Sequence, residues 1–255
     1  TMPKAILLAA GQGTRLLPYT KDLPKCMVEI CGKPLIEFQI EVLKSCGLEN
    51  ISLVGGYKLE KLKKFKLPIY ENKNFASTNM LYSLFCARDL FKDDEDLIIS
   101  YGDIVYSKEI LKDLVSANNA VNVIIDRNWQ EYWESRFENV LEDAETLILN
   151  DTNEIIEIGR EPKDLSQIQG QYIGLIKLNK NGKEIFLENC PTLLDENING
   201  KSFNNAYMTD FLQELINRGK CVKAFTTRFN WIEIDRVEDL KSAVTCSRLK
   251  NIIHN

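Results

Sequence analysis

The chain is 255 residues long and has one histidine, His254, next to its end. A lone histidine near a terminus argues against Ser-His-Asp or Cys-His chemistry. It also removes most zinc and non-haem iron sites, which lean on imidazole ligands. Paired cysteines are missing too. Cys26, Cys31, Cys46, Cys86, Cys190, Cys221 and Cys246 are odd in number, and no two have C-x-x-C spacing. A disulfide framework or structural zinc is therefore not expected; reduced thiols and a cytoplasmic location are. Basic charge is scarce, with a formal net charge of -5, so the chain lacks the basic face of a nucleic-acid binder. No apolar run approaches the roughly 20 residues that would span a membrane. AILLAA (5–10) is short and runs into a glycine turn and Arg15, which fits a buried strand better than a signal-peptide core. Thr1 before Met2 is set apart as a tag remnant.

What remains is an ordinary globular composition, 44% hydrophobic and 27% charged. KAILLAA (4–10), ISLVGGY (51–57), LPIYE, DLIISYGD (96–103) and AVNVIIDR (120–127) read as strands. Between them, Pro34–Cys46, Asn79–Phe91 and Ser107–Val115 read as helices. Alternation of this kind implies a mostly parallel sheet covered on both faces. The second half is less regular. LILN and IIEIG flank a hairpin turn at DTNE, QYIGLIKL (171–178) is strand-like, and DFLQELINRG (210–219) is a helix with a glycine stop. CVKAFTT and FNWIEI follow as strands, then one closing helix from Arg236 to Ile252. No linker, repeat or low-complexity tract interrupts the chain, so one domain over 1–255 is expected.

LLAAGQGTR (7–15) ends a buried strand in a glycine turn. Such a turn exposes backbone N–H groups with no Cβ in the way, and ligands of open α/β sheets bind at the carboxyl ends of strands. Residues 1–33 carry Lys4, Arg15, Lys21, Lys25 and Lys33 against Asp22 and Glu29, a local excess of +3 in an acidic chain. Arg15 can fork two phosphate oxygens and Lys25 can add a point charge. An ordinary strand–turn with exposed cations explains the same residues equally well. Two familiar phosphate motifs fail. No GK pair follows at P-loop spacing, and position 16 is Leu where a dinucleotide fingerprint needs a third glycine.

Asp103 ends the strand DLIISYGD, so its carboxylate should face the same crevice. A carboxylate facing a polyphosphate is repulsive unless Mg²⁺ lies between; capping a turn is the plain alternative. In WIEIDRVEDL (231–240), Glu233 and Asp235 alternate with apolar residues and share one strand face. If Asp103 and Asp235 converge, they make a two-carboxylate Mg²⁺ site. Asn79 and Ser83 stand one helical turn apart and could face a base. Trp129, Tyr132 and Trp133 are core by default, or line a pocket for a quaternary ammonium. Arg127 and Arg136 flank them and could hold a phosphate or carboxylate. Lys58–Lys66 reads as a solvated helix face.

Residues 8–40, LAAGQGTRLLPYTKDLPKCMVEICGKPLIEFQI, resemble the signature of the nucleoside-triphosphate transferases. FASTNMLYSL (75–84) and EIDRVEDL (233–240) resemble segments of its phosphocholine cytidylyltransferase-like branch. The resemblance covers roughly residues 4–245. It implies a Rossmann-like nucleotidyltransferase fold, α/β, with a mixed, mostly parallel central sheet flanked by helices. It also implies a nucleotide-binding half (about 4–127) and an acceptor-binding, metal-completing half (about 128–245). By that analogy Leu8, Ala9, Ala10, Gly11, Gln12, Gly13, Thr14 and Arg15, with Asn79 and Ser83, hold the nucleotide. Lys25, Arg15 and Asp103 carry the chemistry, and Asp103 and Asp235 hold Mg²⁺. Lys25, Arg127, Trp129, Arg136, Tyr172 and Glu233 are candidates for the acceptor. The branch shows an NN pair where this chain has Thr78-Asn79, so Asn79 alone carries over. The implied reaction is Mg²⁺-dependent transfer of CMP from CTP to a small phosphorylated acceptor with release of pyrophosphate. Within the branch the chain is similar to cytidylyltransferases that activate phosphoglutamine for capsule polysaccharide, with phosphocholine as the neighbouring choice. A sugar-1-phosphate nucleotidyltransferase using UTP, dTTP or GTP is the alternative. A catalytically dead regulatory domain is disfavoured because Arg15, Lys25, Asp103 and Asp235 are all present. No membrane or nucleic-acid partner is implied, and the oligomeric state stays open, a dimer included.

Overall fold

Apolar runs bounded by turns build one central seven-stranded sheet in a computed structural model, which describes residues 1–191, 196–227 and 229–254. Its strands are β1 (Lys4–Ala9), β2 (Ile51–Gly55), β3 (Ile69–Glu71), β4 (Leu97–Tyr101), β6 (Val121–Asp126), β7 (Gln171–Leu178) and β8 (Lys223–Thr227). Two further strands, β5 (Ile104–Tyr106) and β9 (Trp231–Glu233), pair with each other outside it. The order across the sheet is β8-β6-β7-β4-β1-β2-β3. β1 runs parallel to β2 and β4, β2 to β3, and β8 to β6. Only β7 is reversed, wedged antiparallel between β4 and β6. The sheet is thus mixed and mostly parallel, as the resemblance implies.

The continuous apolar strands have a physical cause: both faces are covered. In β1, Ile6 and Leu8 pack on one side and Ala5, Leu7 and Ala9 on the other. Helices α1 (Leu35–Ser45), α3 (Lys108–Ser116) and α4 (Trp129–Arg136) cover the second face. Helices α2 (Met80–Phe85), α5 (Lys180–Glu188) and α6 (Met208–Asn217) cover the first, with an aromatic cluster of Phe85, Phe91, Phe186 and Phe211. Ser107 caps α3 by accepting from the Ile110 amide at 3.4 Å.

Several expectations are redrawn. The helix expected over 79–91 ends at Phe85, and Arg88–Phe91 forms a separate 3-10 turn. The closing helix divides at Ser242 into α7 (Val237–Lys241) and α8 (Ala243–His254). Lys58–Lys66 holds a 3-10 segment rather than an α-helix, with Leu62 buried and the lysines outward. Helix α5 went unread because Gly182 sits in its first turn. The glycine is required there: a Cβ would lie 1.8 Å from the Ala120 carbonyl oxygen.

Candidate active site

The glycine loop is folded back on the segment that carries Lys25. Gly13 has φ of 62°, and a Cβ there would lie 2.9 Å from Thr20 Cγ2 and 3.0 Å from Lys25 Cβ. Thr20 Oγ1 donates to the Gly13 carbonyl at 2.6 Å, and the Lys25 amide donates to the Gly11 carbonyl at 3.1 Å. The Tyr57 hydroxyl donates to the carbonyls of Thr20 and Lys21, pinning the strap from outside. A left-handed residue in a crowded turn therefore requires glycine at 13.

Asp103 is set by the turn between β4 and β5. Gly102 approaches β1 so closely that a Cβ would meet the Leu8 carbonyl oxygen at 2.6 Å. Gln39 of α1, fully buried, donates to the carbonyls of Tyr101 and Ile104, each at 2.7 Å, and fixes the turn from below. The Ile234 amide donates to the Asp103 carbonyl at 3.0 Å, so the chain leaving β9 passes directly beside this turn. Asp235 follows and enters the same space. The convergence of Asp103 and Asp235, conditional in the sequence, is therefore present.

The charges interlock. Lys25 Nζ lies 2.7 Å from Asp103 Oδ2 and 2.5 Å from Asp235 Oδ1. Arg15 Nη2 takes the other Asp235 oxygen at 2.7 Å. Burial opposes the Lys25 charge, yet Asp103 and Asp235 outweigh it and hold the ammonium above its usual pKa. For Asp235, burial works upward, but Lys25 and Arg15 prevail and hold its carboxyl below the usual range. Asp103 Oδ1 is buried with no hydrogen-bond partner.

In front of this cluster lies a cavity of about 300 Å³. One wall is the loop: Leu8, Ala10, Gly11, Gln12, Gly13, Thr14 and Arg15, with Lys25 and Asp235 at one end. Ala9 points to the opposite core and does not line it. The other wall brings Asn79 and Ser83 together with Asn72, Phe75, Thr78 and Met80. Asn72 Nδ2 donates to Thr78 Oγ1 and Ser83 Oγ at 3.1 and 2.9 Å, so Ser83 acts within this wall through Asn72. Asn79 Nδ2 donates to the Asn205 carbonyl at 3.1 Å. Sequence reading missed Asn72 and Phe75. The signal was the polar run NKNFASTN directly after β3, at the carboxyl end of a sheet strand.

The acceptor candidates fare differently. Lys25 alone of the six lines the cavity. Trp129 is 3% exposed and donates its indole N–H to the Ile168 carbonyl, a core position. Arg127 bonds Asn153 beside a different depression. Arg136 is buried and pairs with Glu233 and Asp239, and neither Arg136 nor Glu233 lines the cavity. Tyr172 packs edge-on against Tyr101 at 5.5 Å between centroids, its hydroxyl buried and unpartnered. The aromatic cluster of α4 does surround a cation, but that cation is the chain's own Arg136.

Among the described residues no group of three or more His, Cys, Asp or Glu gathers for a metal. Two carboxylates are nevertheless the protein share expected of Mg²⁺, which takes its other ligands from phosphate and water. The orphaned Asp103 Oδ1 and the hard oxygen donors of the pair fit such an ion.

A doubly covered sheet with a glycine loop and cations at its carboxyl edge defines the nucleotidyltransferase class of fold. Residues 5–145 match the model of the MobA-like NTP transferase domain. The chain is 42% identical over 251 residues to the CTP:phosphoglutamine cytidylyltransferase of Campylobacter jejuni, covering 93% of this chain and 97% of that one. Among solved structures, the inositol-1-phosphate CTP transferase of T. maritima superposes with a TM-score of 0.73 at 24% identity, covering 98% of this chain and 96% of that one. The CTP:phosphocholine cytidylyltransferase of Streptococcus pneumoniae does so at 0.67 and 23%, covering 99% and 100%. These two likenesses establish the fold. The chain belongs to the MobA-like NTP transferase family and is a nucleotidyltransferase.

Proposed function

We propose that the chain transfers CMP from CTP to a small phosphorylated, non-sugar acceptor, phosphoglutamine or a phosphocholine-like compound, and releases pyrophosphate. One observation carries the reading: Lys25, Arg15, Asp103 and Asp235 meet within ion-pair distance at the end of the glycine-loop cavity. A relative 42% identical and matched over 97% of its own length supports CTP and phosphoglutamine over a sugar phosphate. In this reading residues of about 4–127 hold the nucleotide, and those of about 128–245 receive the acceptor and supply Asp235.

An oxygen of the acceptor phosphate attacks the α-phosphorus of CTP in line. The new P–O bond forms as the bond to the bridging oxygen breaks, and that electron pair leaves with pyrophosphate. The attacking oxygen is already anionic, so no side chain needs to take a proton, in keeping with a single, terminal His254. Backbone N–H groups of the loop from Gly11 to Thr14 cradle the triphosphate. Lys25 neutralises charge at the α-phosphate, and Arg15, the more exposed cation, steadies the departing pyrophosphate. Losing one such fixed charge costs about 10²–10³ in rate. Mg²⁺, held by Asp103 and Asp235, would add charge neutralisation on the triphosphate. In this reading the triphosphate competes with the two acids for Lys25 and Arg15.

The test is pyrophosphate release with Mg²⁺, crossing CTP, UTP, ATP, GTP and dTTP with phosphoglutamine, phosphocholine and glucose-1-phosphate. Release with CTP and phosphoglutamine or phosphocholine is expected. Release only with the sugar phosphate replaces the acceptor class, and no release with any pair overturns the reading.

A further inference from the structure

Asp235 has no strand to hold it, since β9 ends at Glu233. Its place is set from behind. Asp239 Oδ2 accepts the backbone N–H of Asp235 at 2.9 Å and of Arg236 at 3.0 Å. Arg136 holds that carboxylate in turn, with Nε 2.9 Å from Oδ1 and Nη2 3.1 Å from Oδ2. The same Nη2 reaches Glu233 Oε1 at 2.9 Å. On the near side, the Tyr132 hydroxyl accepts from the Glu233 amide and donates to its carbonyl. Arg236 closes the frame by donating to the Arg136 carbonyl at 2.6 Å. The Arg136 guanidinium lies among the rings of Tyr132, Trp133 and Phe137, about 5 Å from each centroid.

The side chains of Arg136 and Asp239 are each 2% exposed, and neither lines the cavity. A buried ion pair pays heavily for lost hydration, and apolar replacement is often neutral or stabilising. Stability is thus a poor reason for this pair. Geometry is a better one: one Asp239 oxygen accepts from the two amides flanking the Asp235 side chain, and that buried anion needs a cation to hold it.

We infer that Arg136 and Asp239 are positioning residues, whose ion pair fixes the main chain at Asp235 so that its carboxylate opposes that of Asp103. The inference rests on the nucleotidyl-transfer reading, in which Asp103 and Asp235 receive a divalent cation. Metal affinity should therefore depend on the pair while nucleotide contacts through the glycine loop should not.

Three variants test it: Arg136→Lys, Asp239→Asn and the apolar double variant Arg136→Met/Asp239→Leu. Binding of Mn²⁺ is read by electron paramagnetic resonance in the presence of CTP, alongside thermal melting and steady-state kinetics. The double variant guards against misfolding because it removes both partners of the 2%-exposed pair together, leaving only the 23%-exposed Glu233 without its cation. All folded variants should bind Mn²⁺ about 10–100-fold more weakly, the usual effect of removing a group that orients a ligand. The Mg²⁺ needed for half-maximal rate should rise by the same factor, with kcat recovering at high Mg²⁺ and the KM for CTP little changed. A folded double variant that binds Mn²⁺ as tightly as the wild type overturns the inference. So does an equal rise in the KM for CTP, which would indicate general loosening. If wild-type chain with CTP binds no Mn²⁺, the metal reading of the two acids falls and takes this inference with it, whereas the nucleotide panel is read independently.

Discussion

Replacing Lys25 by Gln removes the cation that Asp103 and Asp235 share. Asp235 keeps Arg15 on its Oδ2, but Asp103 is left with nothing: Lys25 is the partner of Oδ2, and Oδ1 has none. Lys25, Asp103 and Asp235 have side chains 16%, 10% and 14% exposed, so water screens them poorly. Breaking one side of such a pair costs about 3–5 kcal/mol. In a chain of this size that lowers Tm by roughly 6–20 °C. The loss depends on pH. In the wild type the raised Lys25 pKa gives stability that is present below its unfolded value and lost only in strong alkali. Asp235, whose pKa is lowered, contributes above its unfolded value and loses that contribution as pH falls. The variant lacks the Lys25 share of that contribution at Asp235. The gap in Tm between wild type and variant is therefore full near pH 8 and narrows only as pH falls below the ordinary carboxylate range, where Asp235 takes its proton in the folded wild type. Differential scanning fluorimetry across that range measures it. Adding Asp103→Asn, which removes the stranded charge, should restore most of the melting temperature while turnover stays depressed about 10²-fold or more. A single variant that melts like the wild type at pH 8, or a double variant no more stable than the single, refutes the electrostatic account.

Gly102→Ala places a methyl 2.6 Å from the Leu8 carbonyl oxygen, a backbone atom that cannot swing aside. Overpacking of this kind costs about 1–3 kcal/mol, and since Asp103 is the next residue, turnover should drop more than stability; equal small losses would count against the turn's role. Arg15→Met, at a side chain 62% exposed, should leave Tm unchanged and lower kcat about 10²-fold or more, as read by pyrophosphate release. Burial, with Asp210 and Asp143 close by, pushes the Glu145 carboxyl up to about 7. The folded chain therefore binds that proton more tightly than the unfolded chain, and the associated penalty is absent below the unfolded pKa and complete above about 7. Glu145→Gln should raise Tm at pH 8 and leave it unchanged at pH 4.5; an equal shift at both values rejects the assignment.

What was legible in the sequence tracks what is local. The continuous apolar run of β1 shows burial on both faces, and the adjoining loop carries its glycines within five positions of the strand end. Lys25 reads as a candidate because it follows the same loop. Asp103 and Asp235 were visible as acids at strand ends, but their meeting depends on β5 pairing with β9, a register that periodicity does not report over so few residues. That Lys25 alone of the acceptor candidates lines the cavity has a related cause. Trp129, Tyr132 and Trp133 stand at helical spacing, which reads as a core face by default and leaves a pocket wall as the alternative. Which one is realised depends on α4 packing beneath β9, where Trp231 meets the rings of Tyr132 and Trp133. Arg136, a phosphate ligand by residue type, became a structural cation through partners about a hundred positions away. The buried Gln39 that sets the Asp103 turn carried no signal, because an amide inside an amphipathic helix looks like a boundary residue.

The same topology couples folding to the site. Lys25 and Asp235 are 210 positions apart, and Lys25 and Asp103 are 78. The two acids come together only once β9 has paired antiparallel with β5 and the Ile234 amide has found the Asp103 carbonyl. Until then the amino-terminal part can form its parallel core and glycine loop, but Lys25 faces Asp103 alone. A chain truncated before Trp231 would thus keep most of the cavity wall around the glycine loop while lacking the second carboxylate. Nucleotide binding and metal binding should separate in such a fragment if the proposed roles hold, because the glycine loop is complete at the end of the first strand and the acid pair is completed by the last.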